Sequence, residues 1–297
     1  MSQNLSVLFR HISLFLALFA FALSGFSQTL VSKIPSKRLE RRPILLGESL
    51  TFPSNVLDED RTLNFYLPST YDQDTMAAYP VIYLLDGGMT EDFVHVAGLV
   101  QFATFPWVKM LPECILVGIA NVDRKRDFTF PTTIEKDKQD FPTTGGSAKF
   151  IRFLKEEVIP MAQANYRADP NTRVLIGQSL GGLLATEVLF TKPEMFSHYI
   201  IVSPSMWWDN ESLLAQEPAF GAPTFKDSIS VTVAVGKEGR WMERGAKMLS
   251  ALVQKHGPAS LKSYFLYLDD QDHANIMHLA LYQAFELMFA KSEEKPK

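Results

Sequence analysis

Residues 173–191 constrain this chain more tightly than any other stretch. Arg173-Val-Leu-Ile is a short apolar run of the kind buried on both faces of a sheet, and Leu180-Gly-Gly-Leu-Leu-Ala-Thr-Glu-Val-Leu-Phe reads as a helix. Only Gly177-Gln-Ser179 separates them, so the backbone must turn sharply from strand to helix. Gly177 and Gly181 keep side chains out of that turn, and Gly182 lets the helix approach the sheet. Gly177-Gln-Ser179-Leu-Gly181 matches G-x-S-x-G, which sets a serine hydroxyl exposed at the tip of a strand. The five-residue pattern is weak by itself, and the flanking strand and helix give it weight.

The rest of the chain repeats the alternation. Strand-like runs fall at 48–53, 62–67, 80–85, 114–120, 173–177, 199–203, 230–235 and 262–268, most of them short continuous apolar stretches bounded by turn residues. Helical spacing recurs in Phe150, Phe153, Leu154, Val158, Ile159 and Met161, in Met242, Ala246, Leu249 and Leu252, and in Ile276, Leu279, Tyr282, Phe285 and Met288. This alternation predicts an α/β fold with a mostly parallel central sheet and helices on both faces. The first two strands, joined without a helix, should form an antiparallel edge. The lone Cys114 lies in an apolar run and reads as a buried, inert thiol.

The domain is expected to span residues 46–292, followed by a polar tail at 293–297. Residues 28–45, with five Lys or Arg among them, lack periodicity and read as an exposed lead-in. At the N-terminus, Arg10 and His11 precede an almost wholly apolar run at 12–25, and Gly25 and Ser27 flank Phe26 in a small-x-small pattern. That is the form of a signal peptide, here residues 1–27, and it predicts export to the periplasm or outside the cell. The run of about 15 residues is shorter than the roughly 20 that span a bilayer, so no membrane span is expected after its removal. The net charge of −4 gives no basic stripe for nucleic acid.

A serine hydroxyl is a poor nucleophile at neutral pH and needs a histidine to take its proton. Where G-x-S-x-G is the elbow of an α/β-hydrolase fold, the order is Ser, then Asp or Glu, then His. Of the histidines after Ser179, His198 enters a strand, His256 ends a helix and His278 lies inside the last helix. His273 alone occupies a loop between the last strand and the last helix, and is the expected general base, with His278 in reserve. The acid should follow the strand 230–235, where Glu238 sits in the loop Gly236-Lys-Glu-Gly-Arg240. Glu243 on the next helix and Asp269, Asp270 and Asp272 beside the histidine are alternatives, as is a dyad with no acid. For the oxyanion, Leu180 supplies one N–H and the Asp86-Gly87-Gly88 turn after the strand at 80–85 supplies the other, with Gly88 as donor.

Several further segments carry a resemblance: Phe65-Tyr-Leu-Pro-Ser-Thr-Tyr71, Tyr79-Pro-Val-Ile-Tyr-Leu-Leu-Asp-Gly87, Val117-Gly-Ile-Ala-Asn121-Val-Asp-Arg124-Lys-Arg126-Asp127, the Ser179 elbow, and Ser203-Pro-Ser-Met-Trp207-Trp208-Asp-Asn210. In this order they resemble an esterase family of the α/β-hydrolase superfamily that includes esterase D-like enzymes, ferric-siderophore esterases and mycolyltransferases. The siderophore-esterase-like branch is the most similar. The resemblance implies that Arg124 or Arg126 binds an anionic ligand and that Trp207 or Trp208 stacks on an aromatic acyl group. The chain departs from the family in its acid loop, where the glutamate commonly lies one residue farther from the glycine than Glu238 does.

The expected function is therefore hydrolysis of a small-molecule carboxylic ester through an acyl-serine and with no metal or cofactor, the resemblance implying a siderophore-type ester. Alternatives are acyl transfer to an alcohol from the same intermediate, a feruloyl or acetyl esterase acting on polysaccharide, and a catalytically silent binding protein.

Overall fold

The computed structural model describes residues 40–289 apart from Lys226. The expected signal peptide, most of the lead-in and the polar tail lie outside these residues. The chain divides at Leu45/Leu46. Residues 40–47 carry no regular secondary structure.

Eight strands form one sheet: β1 (Glu48–Ser54), β2 (Glu59–Tyr66), β3 (Tyr79–Leu84), β4 (Ile115–Ile119), β5 (Ala168–Gln178), β6 (His198–Val202), β7 (Ser230–Gly236) and β8 (Lys262–Leu268). Their order is β1-β2-β4-β3-β5-β6-β7-β8. The pairs β1–β2 and β2–β4 are antiparallel and every other pair is parallel, so the expected edge is present. The helices are α1 (Phe93–Ala103), α2 (Arg124–Phe128), α3 (Glu135–Asp140), α4 (Ser147–Phe153), α5 (Ile159–Asn165), α6 (Leu180–Thr191), α7 (Arg240–His256) and α8 (Ile276–Phe289). A π-helical turn, Leu154–Val158, joins α4 to α5.

Two hydrophobic cores cover the two faces of the sheet. One packs α1 and α8 residues such as Phe93, Val96, Ile276 and Phe285 against β3, β4 and β6. The other packs Phe150, Leu183, Leu184 and Leu249 against the opposite face. Helix α6 has ten of its twelve residues buried, which makes it the central helix of its layer and explains why it is apolar all round. Among the described residues no helix is long and apolar enough to cross a membrane.

The glycines of the β5–α6 turn have measurable causes. A Cβ on Gly177 would lie 2.3 Å from the Gly181 carbonyl oxygen, and one on Gly182 would lie 3.0 Å from Pro204 Cα. Both approaches are backbone to backbone, so neither could be relieved by a side chain moving. The parallel strands all point their C-terminal ends to one rim, where ligands bind in folds of this type.

Candidate active site

Ser179 follows β5 with φ 61° and ψ −119°, a left-handed conformation that an L-residue adopts only when its surroundings impose it. Two backbone bonds do so: the Ser179 N–H donates to the Val202 carbonyl, and the Ser205 N–H donates to the Ser179 carbonyl. The Ser179 hydroxyl is left at the mouth of a cavity, 3.4 Å from the Ser205 hydroxyl. The Leu180 N–H, at the first position of α6, has no intrahelical acceptor.

Glu238 and His273 reach the same cavity from the turns after β7 and β8. Its volume is about 610 Å³ and its lining includes Ser179, Ser205, Trp207, Glu238, Met242 and His273. His273 Nδ1 lies 2.6 Å from Glu238 Oε2, while the other carboxylate oxygen accepts from the Ser203 hydroxyl and from the Gly236 N–H at 2.9 Å. Burial would raise the Glu238 pKa, but these three hydrogen bonds outweigh it and hold the carboxyl below its ordinary value. Glu238 is buried and His273 is 45% exposed, so the imidazole has one face tied to the carboxylate and another open to the cavity. The backbone carbonyl of His273 accepts from the Gln178 side chain at 2.6 Å, which ties the histidine loop to the residue before Ser179.

Of the other sequence candidates for base or acid, only Asp272 borders this cavity. His198, stacked on Phe289, is half-buried, and that loss of water takes its pKa down to about 4. His256 closes α7 and His278 lies on α8. Glu243 accepts from the Gly239 N–H and the Tyr267 hydroxyl. Asp272 borders the cavity but caps the Ala274 N–H.

The Gly88 N–H is engaged in this structure, donating to Glu91 Oε2 at 2.6 Å. A glutamate three residues after the start of a helical turn commonly reaches back in this way. Next to it, Arg124 forms a two-pronged pair with Asp86 (Nε–Oδ1 2.5 Å, Nη2–Oδ2 2.9 Å) and donates through Nη2 to the Gln178 carbonyl at 3.2 Å. Arg124 thereby links the Gly88 loop to the serine elbow. Arg126 is spent on Glu59 and Asp127, inside a cluster that also holds the buried Arg61. Trp208 is fully buried, and its Nε1–H donates to the Phe130 carbonyl at 2.9 Å. Of the four residues the resemblance points to for ligand binding, only Trp207 lines the Ser179 cavity. Sequence reading missed Ser203, Ser205, Gln178 and Glu91, whose parts depend on contacts between distant loops.

A family model described as "Putative esterase" matches residues 54–265. The chain belongs to this esterase family. It is 28% identical over 257 residues to the ferri-bacillibactin esterase BesA of Bacillus subtilis, covering 80% of this chain and 88% of that one. The crystal structure of the BES protein from Bacillus cereus superposes with a TM-score of 0.74 at 27% identity, over 84% of this chain and 98% of that one. An IroE-like serine hydrolase from Shewanella oneidensis gives 0.70 at 27% identity, over 82% and 80%. The family member is thus a carboxylic ester hydrolase of the α/β-hydrolase fold.

Proposed function

We propose that the esterase hydrolyses its substrate through an acyl-serine on Ser179, with His273 as general base and Glu238 as the acid that orients it. One observation carries this reading: the Glu238–His273 hydrogen bond, made across the C-terminal rim of the sheet, opens on the same cavity as the Ser179 hydroxyl. The Ser179 hydroxyl attacks the ester carbonyl as His273 Nε2 takes its proton. The carboxylate at Nδ1 fixes the tautomer that leaves Nε2 free and stabilises the imidazolium that forms. The oxyanion meets the Leu180 N–H, and the Gly88 N–H once the Glu91 carboxylate has withdrawn from it. The imidazolium protonates the departing alcohol, and water then attacks the acyl-serine by the same route, leaving the free acid and Ser179.

The relative named as a ferri-bacillibactin esterase supports a siderophore-type ester as substrate. The small-x-small pattern after an apolar N-terminal run supports export, with the mature chain starting at Gln28. Ser179→Ala is expected to abolish turnover of 4-nitrophenyl acetate and of a ferric catecholate trilactone by the purified protein. Unchanged turnover in that variant overturns the reading. Mass spectrometry of the protein expressed in a Gram-negative host tests export: a periplasmic chain beginning at residue 28 is expected, and an intact cytoplasmic chain refutes it.

A further inference from the structure

Helices α1 and α8 lie side by side on one face of the sheet. Their inner residues Phe93, Val96, Ile276 and Ala280 share one core, and their outer faces meet at Phe102 and Tyr282, with ring centroids 6.0 Å apart. Near its start each helix presents a histidine as its third residue, His95 on α1 and His278 on α8. Both are exposed, and their ring centroids lie 6.1 Å apart at an interplanar angle of 60°.

Two observations set this pair apart from histidines scattered on a surface. The first is that both rings are uncommitted. His198 and His273 are engaged with Ser197 and Glu238, whereas among the described residues neither His95 nor His278 has a hydrogen-bond or ion-pair partner. Free imidazoles on exposed helix faces turn about χ2 at little cost, so their nitrogens can converge. With metal–nitrogen bonds of about 2.1 Å, two imidazoles on one zinc ion have ring centroids about 5–6.5 Å apart, depending on the bond angle. The observed separation falls inside that range. The second observation is the local charge. Asp92 precedes α1 without a side-chain bond to the helix, one turn before His95, and the charges of Asp86, Glu91 and Arg124 act on it. Three carboxylates against one guanidinium draw a cation to this end of α1.

We propose that His95 and His278 together bind one divalent transition-metal ion of the zinc class, which ties α1 to α8 and slows the esterase. Imidazole nitrogen takes zinc, nickel and copper(II), and leaves magnesium and calcium to oxygen ligands. Among the described residues no three potential ligands stand together, so water completes the coordination and the ion exchanges with solvent. The position of the pair explains the slowing. The Gly88 loop leads into α1 and the His273 loop into α8, so the ion spans the two loops that carry the oxyanion donor and the general base. Glu91, one turn before His95, must leave the Gly88 N–H before an oxyanion can bind there, and a metal ion on His95 holds it back. The metal site stands by itself, whereas the slowing rests on the reading of Gly88 as an oxyanion donor.

The test is calorimetric titration of zinc chloride into tag-free protein near neutral pH, followed by thermal melting. A single equivalent is expected to bind the wild type and Ser179→Ala alike and to raise the melting temperature by about 3 °C at saturation. His95→Asn and His278→Asn should each lose both effects, while His95→Cys, which offers a thiolate in place of the imidazole, should keep them. Magnesium chloride should leave both readings unchanged. In assays on 4-nitrophenyl acetate, zinc should lower the wild-type kcat by about fivefold or more, within the ordinary range of coupling between sites. EDTA should restore it, and neither Asn variant should respond. No binding to the wild type, or binding unchanged in both Asn variants, overturns the site. Inhibition that survives in those variants puts the inhibitory ion on Glu238 and His273 and overturns the clamp, as does binding with kcat unchanged. Because binding is also read in Ser179→Ala, it stands or falls separately from the acyl-serine mechanism.

Discussion

Glu238 is held by donors from three parts of the chain: the Ser203 hydroxyl, the Gly236 N–H and His273 Nδ1. The carboxylate cannot turn from the imidazole without breaking bonds at both oxygens, so Glu238→Gln should fold normally but misassign the imidazole tautomer. A fall in kcat of about 10²–10⁴-fold with KM little changed is expected in steady-state assays on nitrophenyl esters. Arg124 works through other groups. Its guanidinium joins Asp86 to the Gln178 carbonyl, and Arg124→Lys keeps the charge while losing the fork. A drop in kcat of about tenfold or more, against a nearly constant KM, would mark it as a positioning residue; a change confined to KM for anionic substrates would place it on the ligand instead. Ser179 and His273 were legible because each depends on local context, a strand-turn-helix and a loop between two elements. The Arg124–Asp86 fork was not, because it joins residues 38 apart across two loops and both residue types are at home on any surface.

Helix α6 carries a carboxyl in an otherwise buried apolar setting. Glu187 accepts from the Ser147 hydroxyl at 3.0 Å, its other oxygen is buried without a partner, and burial pushes its pKa up to about 7. The unfolded chain releases that proton near its ordinary value of 4.5, so the folded state binds more protons between about pH 4.5 and 7. Stability should fall as pH rises through that window and then level off. Glu187→Gln is expected to raise the stability by about 1–3 kcal/mol at pH 8 and to change it little at pH 4.5, as read by urea unfolding at both pH values. The eight strands were legible at sequence level because continuous apolar runs bounded by turn residues leave few other readings. Helix α2 has five residues, too few for a period to show in the sequence, and the left-handed turn at 209–211 has no glycine to announce it.

Two cores on opposite faces of one sheet must melt together if the sheet is to lose either face, and Cys114 offers a probe of that coupling. Its thiol is buried in the α1–α8 core, and burial pushes its pKa up to about 12. Native protein should not react with a disulfide reagent over minutes, and the guanidinium midpoint for thiol exposure should coincide with that for loss of helix by circular dichroism. An earlier thiol midpoint would mean that one layer opens by itself. The parallel order of the sheet was foreseeable from the alternation of elements, but the placing of β3 between β4 and β5 was not, since strand order is set by crossovers that no local pattern records. The same parallel order has a practical side. Because Ser179, Glu238 and His273 all follow strands at one rim, the loops at 192–197 and 257–261, which enter strands β6 and β8, lie at the other. Those loops are the natural anchor points for coupling the enzyme to a bead or a sensor surface with the Ser179 cavity facing outward.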